Sequence, residues 1–491
     1  MRRRKSHNGR MAGRWPLEFL TALVLTFSCV ASASTPTYND VYTFETTGPY
    51  GPYANVVQGP DGNLYGTTAY GGTNGQGTVY RLTPAGTFKV IYNFCSLANC
   101  TDGREPQAPL VFGTNGDIYG TTGGGGSGTA YCGTGCGTVF KLTPKGILST
   151  LHNFCSVAPC DDGSDPSSGL VQGRDGSFYG VTSAAGGSYL QGTVYRITPA
   201  GVLTTLYAFC IQTGCTDGES PRAGLIQGTN GQFYGTTGSG GQYGYGEIFE
   251  ITMAGKITVL HSFDQTDGEG AFSSLVQASN GFFYGTTQTG GSGSCAFGNT
   301  CGTVYKMNAA GKLTTLVKFT GTNGSNPEGL VEGSDGNLYG ITAGGGSNDS
   351  GTFFKMSLNG NLSTPYNFCA APCTDGYSPD FAIILGTSGL FYGVAPSGEN
   401  GNSVVFSIDN GLAPFLNTQP IAGKVGAKVN ILGNNLTGAT AVSFNGTNQP
   451  DFTVVSATEI TTTVPTGATT GIVEVTAVSG VLSTITSFEI F

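Results

Sequence analysis

A short phrase that returns seven times constrains the fold of this chain more than any other feature of its sequence. The first copy reads DGNLYGTTAYGG at 61–72, and every copy contains a tyrosine followed by glycine. These tyrosines are Tyr65, Tyr119, Tyr179, Tyr234, Tyr284, Tyr339 and Tyr392. They recur about every 50 to 60 residues, a period that is typical of β-propellers.

One repeat unit, at 169–209, contains four short segments with the composition of β-strands. GLVQG, SFYGVTS, TVYRI and VLTTLYAF are separated by RDG, by the loop AAGGSYLQG and by TPAG. Four antiparallel strands joined in this way form one propeller blade. The chain has 82 glycines and only 10% charged residues, which also favours strands and tight turns. We therefore predict an all-β chain in which residues 34–412 form a seven-bladed β-propeller.

The seventh repeat lacks its own fourth strand. Its third strand ends near Ile408, and LAPFLNTQ follows instead of the usual pattern. The segment DVYTF at 40–44 resembles the fourth-strand segment TLYAF at 205–209. We predict that strand 40–44 completes the seventh blade and closes the ring, because closure removes two open sheet edges that would favour aggregation.

The first 33 residues have the pattern of an export signal. Arginines precede a mostly apolar run at 19–31, and ASAS at 31–34 would permit cleavage after Ala33. The run is short for a membrane span, so we predict an exported protein that is secreted or held in the periplasm or at the cell surface. The formal net charge is −9 even with this basic segment, which argues against nucleic acid as a partner. We expect a monomer without a membrane span.

The cysteines form a regular pattern. Of the 13 cysteines, Cys29 falls in the export signal. The others form six close pairs: Cys95–Cys100, Cys132–Cys136, Cys155–Cys160, Cys210–Cys215, Cys295–Cys301 and Cys369–Cys373. In an exported protein such local pairing indicates disulfides. A metal site would need thiolates from different loops to converge, and we regard it as the less favoured interpretation.

The cysteine pairs mark one side of the predicted propeller. Four lie between the fourth strand of one blade and the first strand of the next, and two lie between second and third strands. Both loop types emerge on the same side of an up-and-down sheet, and long variable loops on a rigid scaffold commonly bind ligands. We predict that this cysteine side is the functional face. Candidate contact residues in its loops are Tyr131, Tyr189, Tyr243, Tyr245 and Phe297.

Carboxylates on the same side are candidate calcium ligands. The loops that precede first strands carry Asp102, Asp162, Asp217, Asp267 and Asp375. A ring of such oxygens facing a central opening would suit calcium. Asp–Gly pairs also form turns in which the aspartate binds its own backbone, and we favour that role. No other cofactor is predicted.

The sequence offers no set of residues for nucleophilic catalysis. Beyond the export signal only His152 and His261 occur, and both occupy the position of a fourth-strand tyrosine in other repeats. We interpret them as aromatic substitutes. Without further histidines a serine–histidine triad is not expected, so we assign no catalytic residue and favour a protein that is not an enzyme.

From about residue 413 the pattern changes. Cysteines and the tyrosine–glycine phrase no longer occur, and short strands at regular spacing predict a small immunoglobulin-like β-sandwich at 413–491. VNILGNNLTGATAVSFNG and ITTTVPTGATTGIVEVT resemble an IPT/TIG domain. The segment DGNLYGTTAYGGTNGQGTVYRLTPAG resembles the Gloeo/Verruco (GloVer) tandem repeat of secreted bacterial proteins. That resemblance implies export and a repeat fold, and it assigns no role to any residue.

Three hypotheses for function follow from the sequence. The first is an extracellular binding, adhesion or scaffold module that presents disulfide-linked loops to an unknown ligand, such as a glycan or a cell-surface protein. The second is a propeller enzyme, a lyase or hydrolase that acts on a polysaccharide or a lactone. The third is a structural protein of the envelope or matrix. Glycan binding distinguishes the first from the third, and release of reducing ends or unsaturated sugars would favour the second.

Overall fold

The computed structural model describes residues 35–45, 48–128, 132–187, 190–291, 295, 300–370, 373, 375–396 and 402–491. The predicted export signal at 1–33 lies outside the described residues. Within them, regular structure consists of β-strands and two 3-10 helices, Ala98–Cys100 and Thr213–Cys215. This confirms the all-β prediction. The helices of this part of the chain are too short and too polar to cross a lipid bilayer.

Twenty-eight strands precede residue 413 in the described ranges. They are β1 (Thr37–Thr43), β2 (Val57–Gln58), β3 (Leu64–Thr68), β4 (Thr78–Leu82), β5 (Phe88–Asn93), β6 (Val111–Phe112), β7 (Ile118–Thr122), β8 (Thr138–Leu142), β9 (Leu148–Asn153), β10 (Val171–Gln172), β11 (Phe178–Thr182), β12 (Thr193–Ile197), β13 (Leu203–Ala208) and β14 (Ile226–Gln227). The others are β15 (Phe233–Thr237), β16 (Glu247–Ile251), β17 (Ile257–Ser262), β18 (Val276–Gln277), β19 (Phe283–Thr287), β20 (Thr303–Met307), β21 (Leu313–Lys318), β22 (Ser325–Glu332), β23 (Leu338–Gly344), β24 (Thr352–Met356), β25 (Leu362–Asn367), β26 (Ile384–Leu385), β27 (Leu390–Ala395) and β28 (Val404–Asp409).

In the described part of the chain, these strands form seven four-stranded antiparallel sheets that resemble propeller blades. Six sheets use four consecutive strands: sheet 1 (β2–β5), sheet 2 (β6–β9), sheet 3 (β10–β13), sheet 4 (β14–β17), sheet 5 (β18–β21) and sheet 6 (β22–β25). Sheet 7 has the order β1-β28-β27-β26, so the N-terminal strand is its outermost member. The loops before each first strand and those between second and third strands emerge on the same side, which we call the cysteine side.

The repeated phrase contains the tight turn between first and second strands. Asp61 accepts the backbone N–H of Asn63 at 3.1 Å and the hydroxyl of Tyr65 at 2.8 Å. Gly62 has φ +77°, a left-handed value that glycine adopts without strain. The same carboxylate–tyrosine bond recurs in Asp175–Tyr179 and Asp335–Tyr339. The aspartate and the tyrosine four residues later therefore stabilise the same turn.

The tyrosine–glycine pair of the phrase joins neighbouring sheets. All seven tyrosines are buried, and Tyr119 stacks on Phe178 of the next sheet with ring centroids 4.0 Å apart. The following Gly120 pairs with Phe140 on the third strand. A Cβ atom at Gly120 would lie 2.6 Å from the Phe140 ring, so a larger residue would displace that aromatic side chain. The phrase recurs because each sheet needs the same contact with its neighbour.

Sheet 7 combines the two ends of the repeat region. β1 pairs antiparallel with β28, from Thr37 opposite Asp409 to Thr43 opposite Val404. The backbone N–H of Phe44 extends the contact by donating to the carbonyl of Ser403 at 2.8 Å. The strand thus begins three residues before the predicted 40–44 segment.

A hydrogen bond of one type links successive sheets. The backbone N–H of Thr387, in the β26–β27 turn, donates to Gln58 Oε1 on β2 at 2.9 Å. Equivalent bonds are Thr114 to Gln172, Arg174 to Gln227, Thr229 to Gln277 and Ser279 to Glu332. The Thr387 bond therefore joins sheet 7 to sheet 1 in the way that other consecutive sheets are joined.

The last ten strands, again among the described residues, belong to the C-terminal region. They are β29 (Asn417–Gln419), β30 (Ala422–Gly423), β31 (Lys428–Leu432), β32 (Ala441–Phe444), β33 (Thr447–Asn448), β34 (Phe452–Val454), β35 (Glu459–Thr463), β36 (Val473–Ala477), β37 (Gly480–Ser483) and β38 (Glu489–Ile490). Two four-stranded sheets, β29-β31-β35-β34 and β33-β32-β36-β37, bury a shared apolar core that includes Ile431, Ile460 and Val475.

The C-terminal region contacts the turns between first and second strands. Thr458 Oγ1 donates to the carbonyl of Pro60 at 2.7 Å, and Asn434 Nδ2 donates to Thr387 Oγ1 at 2.7 Å. Pro60 and Thr387 belong to the turns of sheets 1 and 7. These turns lie at the end of the sheets opposite to the cysteine side. At both contacts the C-terminal region therefore lies away from the cysteine-bearing loops.

Candidate functional site

The cysteines of the described residues form six disulfides, with the pairing predicted from their spacing. Four lie in loops that lead from one sheet into the next, as in Cys95–Cys100 between β5 and β6. In the described residues, Cys210, Cys215 and Glu219 are the cluster of potential metal ligands. The two sulfurs of that cluster are bonded to each other, so they are not thiolate ligands.

The five aspartates considered for calcium attach the loops between sheets to the outermost strands, and four of these loops contain a disulfide. Asp102 accepts the hydroxyl of Tyr92 at 2.8 Å and the backbone N–H groups of Ser96 and Leu97. Equivalent side-chain bonds are His152–Asp162, Tyr207–Asp217, His261–Asp267 and Tyr366–Asp375. The histidines thus occupy the tyrosine position and contact the same carboxylate. These bonds place the aspartates beside fourth strands, and they account for the carboxylates without a metal.

We expect that loss of one such aspartate weakens its loop. In Asp102→Ala the N–H groups of Ser96 and Leu97 and the Tyr92 hydroxyl lose the buried carboxylate that accepts from all three, so the free energy of unfolding should fall by about 2–3 kcal/mol. Tyr92→Phe removes only one of the three bonds and should cost about 1 kcal/mol. Denaturant unfolding under non-reducing conditions measures both. Equal losses in the two variants would contradict the role of Asp102 as a loop anchor.

Of the aromatic loop residues predicted from the sequence, the structure describes two, Tyr243 and Tyr245. Tyr243 is exposed, whereas Tyr245 is partly buried and packs against the apolar cluster between sheets 4 and 5. Tyr131, Tyr189 and Phe297 lie outside the described residues.

A cavity of about 390 Å³ is lined by segments from all seven sheets, and we call it the central cavity. Its wall contains the residues that lead from the cysteine side into each first strand, including Asn55, Ser168, Arg222, Glu328 and Asp380. Ser168 Oγ and Asn55 Oδ1 are buried atoms without a hydrogen-bond partner. Unpaired buried polar atoms are costly, and a polar ligand in the cavity would supply the missing partners.

One position of the repeat varies strongly at this cavity. A proline lies near the start of each first strand, except in sheet 5, where alanine replaces it. The residue that follows this position differs in every sheet. These residues, the post-proline set, are Tyr53, Gln107, Ser167, Arg222, Phe272, Glu328 and Asp380. Arg222, Phe272, Glu328 and Asp380 line the cavity directly. The variable position therefore gives the cavity wall a different side chain from each of four sheets.

The backbone holds this set rigidly. The residue before each proline has a left-handed conformation even where it is not glycine, as in Glu105 (φ 53°), Ser220 (φ 51°) and Ser378 (φ 51°). The N–H of Glu105 donates to the carbonyl of Gln76 in the preceding sheet at 3.0 Å. Conformations of this kind cost free energy and are concentrated at functional sites.

Two carboxyl groups lie together in the cavity wall. Glu328 is 7% exposed and accepts a hydrogen bond from Gln288 Nε2 at 2.7 Å. Burial, and next to it the charge of Asp380, raises the pKa of Glu328 to about 8. Asp380 is exposed at the rim of the cavity, yet the protein around it removes enough water to raise its pKa as well. Arg222 lies over the ring of Phe272 at 5.9 Å from the centroid, on the neighbouring sheets 4 and 5.

An aromatic cluster adjoins the carboxyl pair on the cysteine side. Tyr50, Tyr53 and Tyr70 of sheet 1 contact one another, with ring centroids 5.5 Å apart for Tyr50–Tyr70 and 5.9 Å apart for Tyr53–Tyr70. Phe381, the residue after Asp380, lies 6.5 Å from Tyr53. Tyr50 and Tyr53 are 41% and 38% exposed. The cluster therefore presents aromatic surface next to a polar cavity.

Sequence reasoning missed the post-proline set. It compared the constant positions of the repeat and the long loops, but not the single variable position between a constant proline and a constant apolar strand. Alignment of the seven repeats against one another would have found it.

Comparison with known proteins gives a family and similar solved structures. A family model described as the Gloeobacter/Verrucomicrobia repeat matches residues 26–227 and 185–407. None of the curated proteins matches this sequence.

Among solved structures, a fungal alcohol oxidase of the AA5 family in complex with copper has 14% sequence identity and a TM-score of 0.46, covering 93% of this chain and 100% of its own. The extracellular domain assigned to a hybrid two-component system of B. thetaiotaomicron has 12% identity and a TM-score of 0.47, covering 93% and 57%. A protein of Bacteroides fragilis assigned as a 6-phosphogluconolactonase has 15% identity and a TM-score of 0.43, covering 82% and 95%. These similarities say nothing about the activity of this chain.

Proposed function

This chain belongs to the Gloeobacter/Verrucomicrobia repeat family, and from that premise we propose that it is an exported bacterial binding module that takes a carbohydrate at its central cavity. The six disulfides indicate an oxidising compartment, extracellular or periplasmic. Removal of residues 1–33 as a signal peptide is part of the proposal. We expect the mature protein to act as a monomer.

The proposed scaffold is a closed seven-bladed propeller over residues 34–412. Two observations support closure: β1 lies in sheet 7, and Thr387 bonds to Gln58 of sheet 1. Residues 413–491 are proposed to be an immunoglobulin-like domain of the IPT/TIG type, which the pair of facing sheets supports. Because this domain contacts the turns opposite to the cysteine side, it would act as a spacer that leaves the binding face accessible.

The observation that carries the carbohydrate proposal is the aromatic cluster beside a polar cavity. Sugar rings present apolar faces to aromatic side chains and hydroxyl groups to hydrogen-bonding partners. Tyr50 and Tyr53 offer exposed rings, while Asn55 and Ser168 offer buried polar atoms without partners. The cavity volume of about 390 Å³ falls in the range of about 300–1,000 Å³ that small-ligand sites occupy.

A glycan array with the full mature chain tests this proposal. Tyr53→Ala should lower the affinity for a bound glycan roughly tenfold or more, because an aromatic anchor is lost. Tyr243→Ala is the matched control, since Tyr243 is an exposed tyrosine in a loop of sheet 4, away from the aromatic cluster of Tyr50, Tyr53 and Tyr70. Absence of glycan binding, or equal loss in the two variants, would overturn the proposal and favour a structural envelope or matrix protein.

A second candidate function, hydrolysis or elimination on a polysaccharide or lactone, is favoured by the Glu328–Asp380 pair. A protonated carboxyl beside an ionised one can act as general acid and general base. Release of reducing ends, unsaturated sugars or acid from a substrate panel, lost in Glu328→Gln, would support the enzyme. If the chain binds glycans but turns over no substrate of the panel, the enzyme hypothesis is wrong and the binding module remains.

A further inference from the structure

We propose that the carboxyl groups of Glu328 and Asp380 bind the ammonium group of an amino sugar whose nitrogen is not acylated. This inference rests on the proposed carbohydrate function and names the class of sugar. It assigns the acid pair as the determinant of specificity, with the aromatic cluster as the surface on which the sugar ring lies.

The acid pair lacks a positive partner within the protein. In the part of the chain that the structure describes, no lysine, arginine or histidine forms an ion pair with Glu328 or Asp380. The side-chain donor to Glu328 is the neutral amide of Gln288. Arg222, the cation in the same wall, lies over Phe272 instead. Two adjacent carboxyl groups in a partly buried wall are destabilised as anions unless a cation joins them.

A second observation points to a ligand in this cavity. Ser168 is only 4% exposed, lines the same wall and has no partner for its hydroxyl group. Asn55 Oδ1 is unpartnered as well. A hydroxyl group and a carbonyl oxygen that lack partners fit the hydroxyl groups of a sugar, which donate and accept hydrogen bonds.

The surroundings favour an organic ammonium over a metal ion. Calcium takes six to eight oxygen ligands, whereas the described residues of the cavity wall include two carboxylates, Glu328 and Asp380. Phe381 follows Asp380 in the chain, and its ring lies 6.5 Å from that of Tyr53; aromatic faces attract ammonium groups. A sugar amine would therefore find both a charge partner and an aromatic wall.

Binding of a cation should change the protonation of Glu328. The charged groups that face the cavity are Arg222, Glu328 and Asp380. With a pKa of about 8, Glu328 carries its proton in most molecules at pH 6.5. A bound ammonium favours the ionised carboxylate, so binding should release a proton to the buffer.

Isothermal titration calorimetry of the mature chain at pH 6.5, with three tetrasaccharides, tests the inference. The probes are β-1,4-linked tetramers of glucosamine, of N-acetylglucosamine and of glucose. We expect the glucosamine tetramer to bind at least about tenfold more tightly than the other two, as a charge-assisted hydrogen bond predicts. Titration in phosphate and in Bis-Tris, which both buffer at pH 6.5 and differ in ionisation enthalpy, should reveal proton release for the glucosamine tetramer alone.

Two variants and a control make the test specific to the acid pair. Glu328→Gln should abolish the proton release, and both it and Asp380→Asn should remove the preference for the glucosamine tetramer over the neutral tetramers. Glu219→Gln is the matched control, since Glu219 lies in a loop of the cysteine side and does not line the cavity. A melting curve of each variant shows that it is folded.

The outcomes separate this inference from the proposed function. Equal binding of the three tetramers, unchanged in Glu328→Gln, would overturn the amino-sugar inference and leave the carbohydrate module intact. Glucosamine binding that is retained in both acid variants would also overturn it. Failure of every sugar to bind would overturn the proposed function itself, and tight binding of calcium ions alone would assign the acid pair to a metal.

Discussion

A chain that begins after β1, at residue 48, is expected to be strongly destabilised or unable to fold, whereas a chain that begins at residue 35 should fold normally. β1 supplies the outermost strand of sheet 7, and its aromatic residues contact three sheets. Tyr38 stacks on Phe406 at 5.5 Å, and Tyr42 stacks on Phe88 of sheet 1 at 4.3 Å. Loss of β1 would expose these surfaces together with the open edge of β28.

The magnitude follows from one residue of this segment. Phe44 is 1% exposed and packs against Tyr80 and Phe88. Truncation of a buried phenylalanine to alanine costs about 3–5 kcal/mol, and a typical domain is stable by only about 5–15 kcal/mol. Removal of the whole strand should therefore exceed the effect of Phe44→Ala, which by itself should lower the melting temperature by about 3–6 °C in a chain of this size.

Differential scanning calorimetry of the two truncated chains and of Phe44→Ala measures the effect. The matched control is Phe282→Ala, because Phe282 is 37% exposed and its truncation should change stability little. If the chain that begins at residue 48 melts at the same temperature as the longer chain, β1 does not close sheet 7 in solution, and the proposed ring would be wrong.

The sequence predicted those features that depend on contacts within one repeat. The four strands of each sheet, the turns and the disulfide pairs follow from residues close together in the chain, and the repeated phrase supplied seven examples of each. The N-terminal strand was also recognisable, because DVYTF resembles the fourth strands of the other repeats. Its start at Thr37 was not, since Tyr38 packs on Tyr366 and Phe406 of distant repeats.

The candidate site depends on contacts that the sequence does not display. Glu328 and Asp380 are separated by more than 50 residues and meet only because both follow a proline at the start of a first strand. The aspartates of the loops were visible as a motif, but their partners, Tyr92 and His152 among them, lie on the preceding strand across a disulfide loop. The repeated motif reveals the residues that the sheets have in common, whereas the candidate site consists of positions at which the sheets differ.

Glu247 occupies an interior position at which sheet 4 differs from other sheets. Its buried carboxyl group predicts that the stability of the protein depends on pH. In five other sheets this position is a threonine that bonds to a threonine on the neighbouring strand, as in Thr68–Thr78 at 2.8 Å. Glu247 is fully buried and neither of its carboxyl oxygens has a partner. Burial, and then the charge of Asp217, raises the pKa of Glu247 to about 8 from 4.5.

The sign of the effect follows from proton binding. Between about pH 4.5 and pH 8 the folded protein keeps a proton on Glu247 that the unfolded chain has lost, so stability falls as the pH rises through this window. The free energy of unfolding should fall by a total on the order of 3–5 kcal/mol. This follows from the difference between the ordinary pKa of 4.5 and the raised pKa of about 8, at about 1.4 kcal/mol per pKa unit. Glu247→Thr restores the bond with Thr237 that other sheets contain and removes the buried acid. It should therefore raise the melting temperature, more at pH 9 than at pH 5.

Melting curves of the wild type, Glu247→Thr and Glu328→Gln at pH 5, 7 and 9 separate the two buried acids. Each variant should remove its own share of the pH dependence, because Glu328 titrates in the same window, and the double variant should melt at a nearly constant temperature. A ligand should affect the two acids differently. A bound amino sugar should reduce the contribution of Glu328 to the pH dependence of stability and leave the contribution of Glu247 unchanged. If the stability of the wild type does not fall between pH 5 and pH 9, neither carboxyl keeps its proton in the folded protein. Glu328 would then have no proton to release when a cation binds at the cavity.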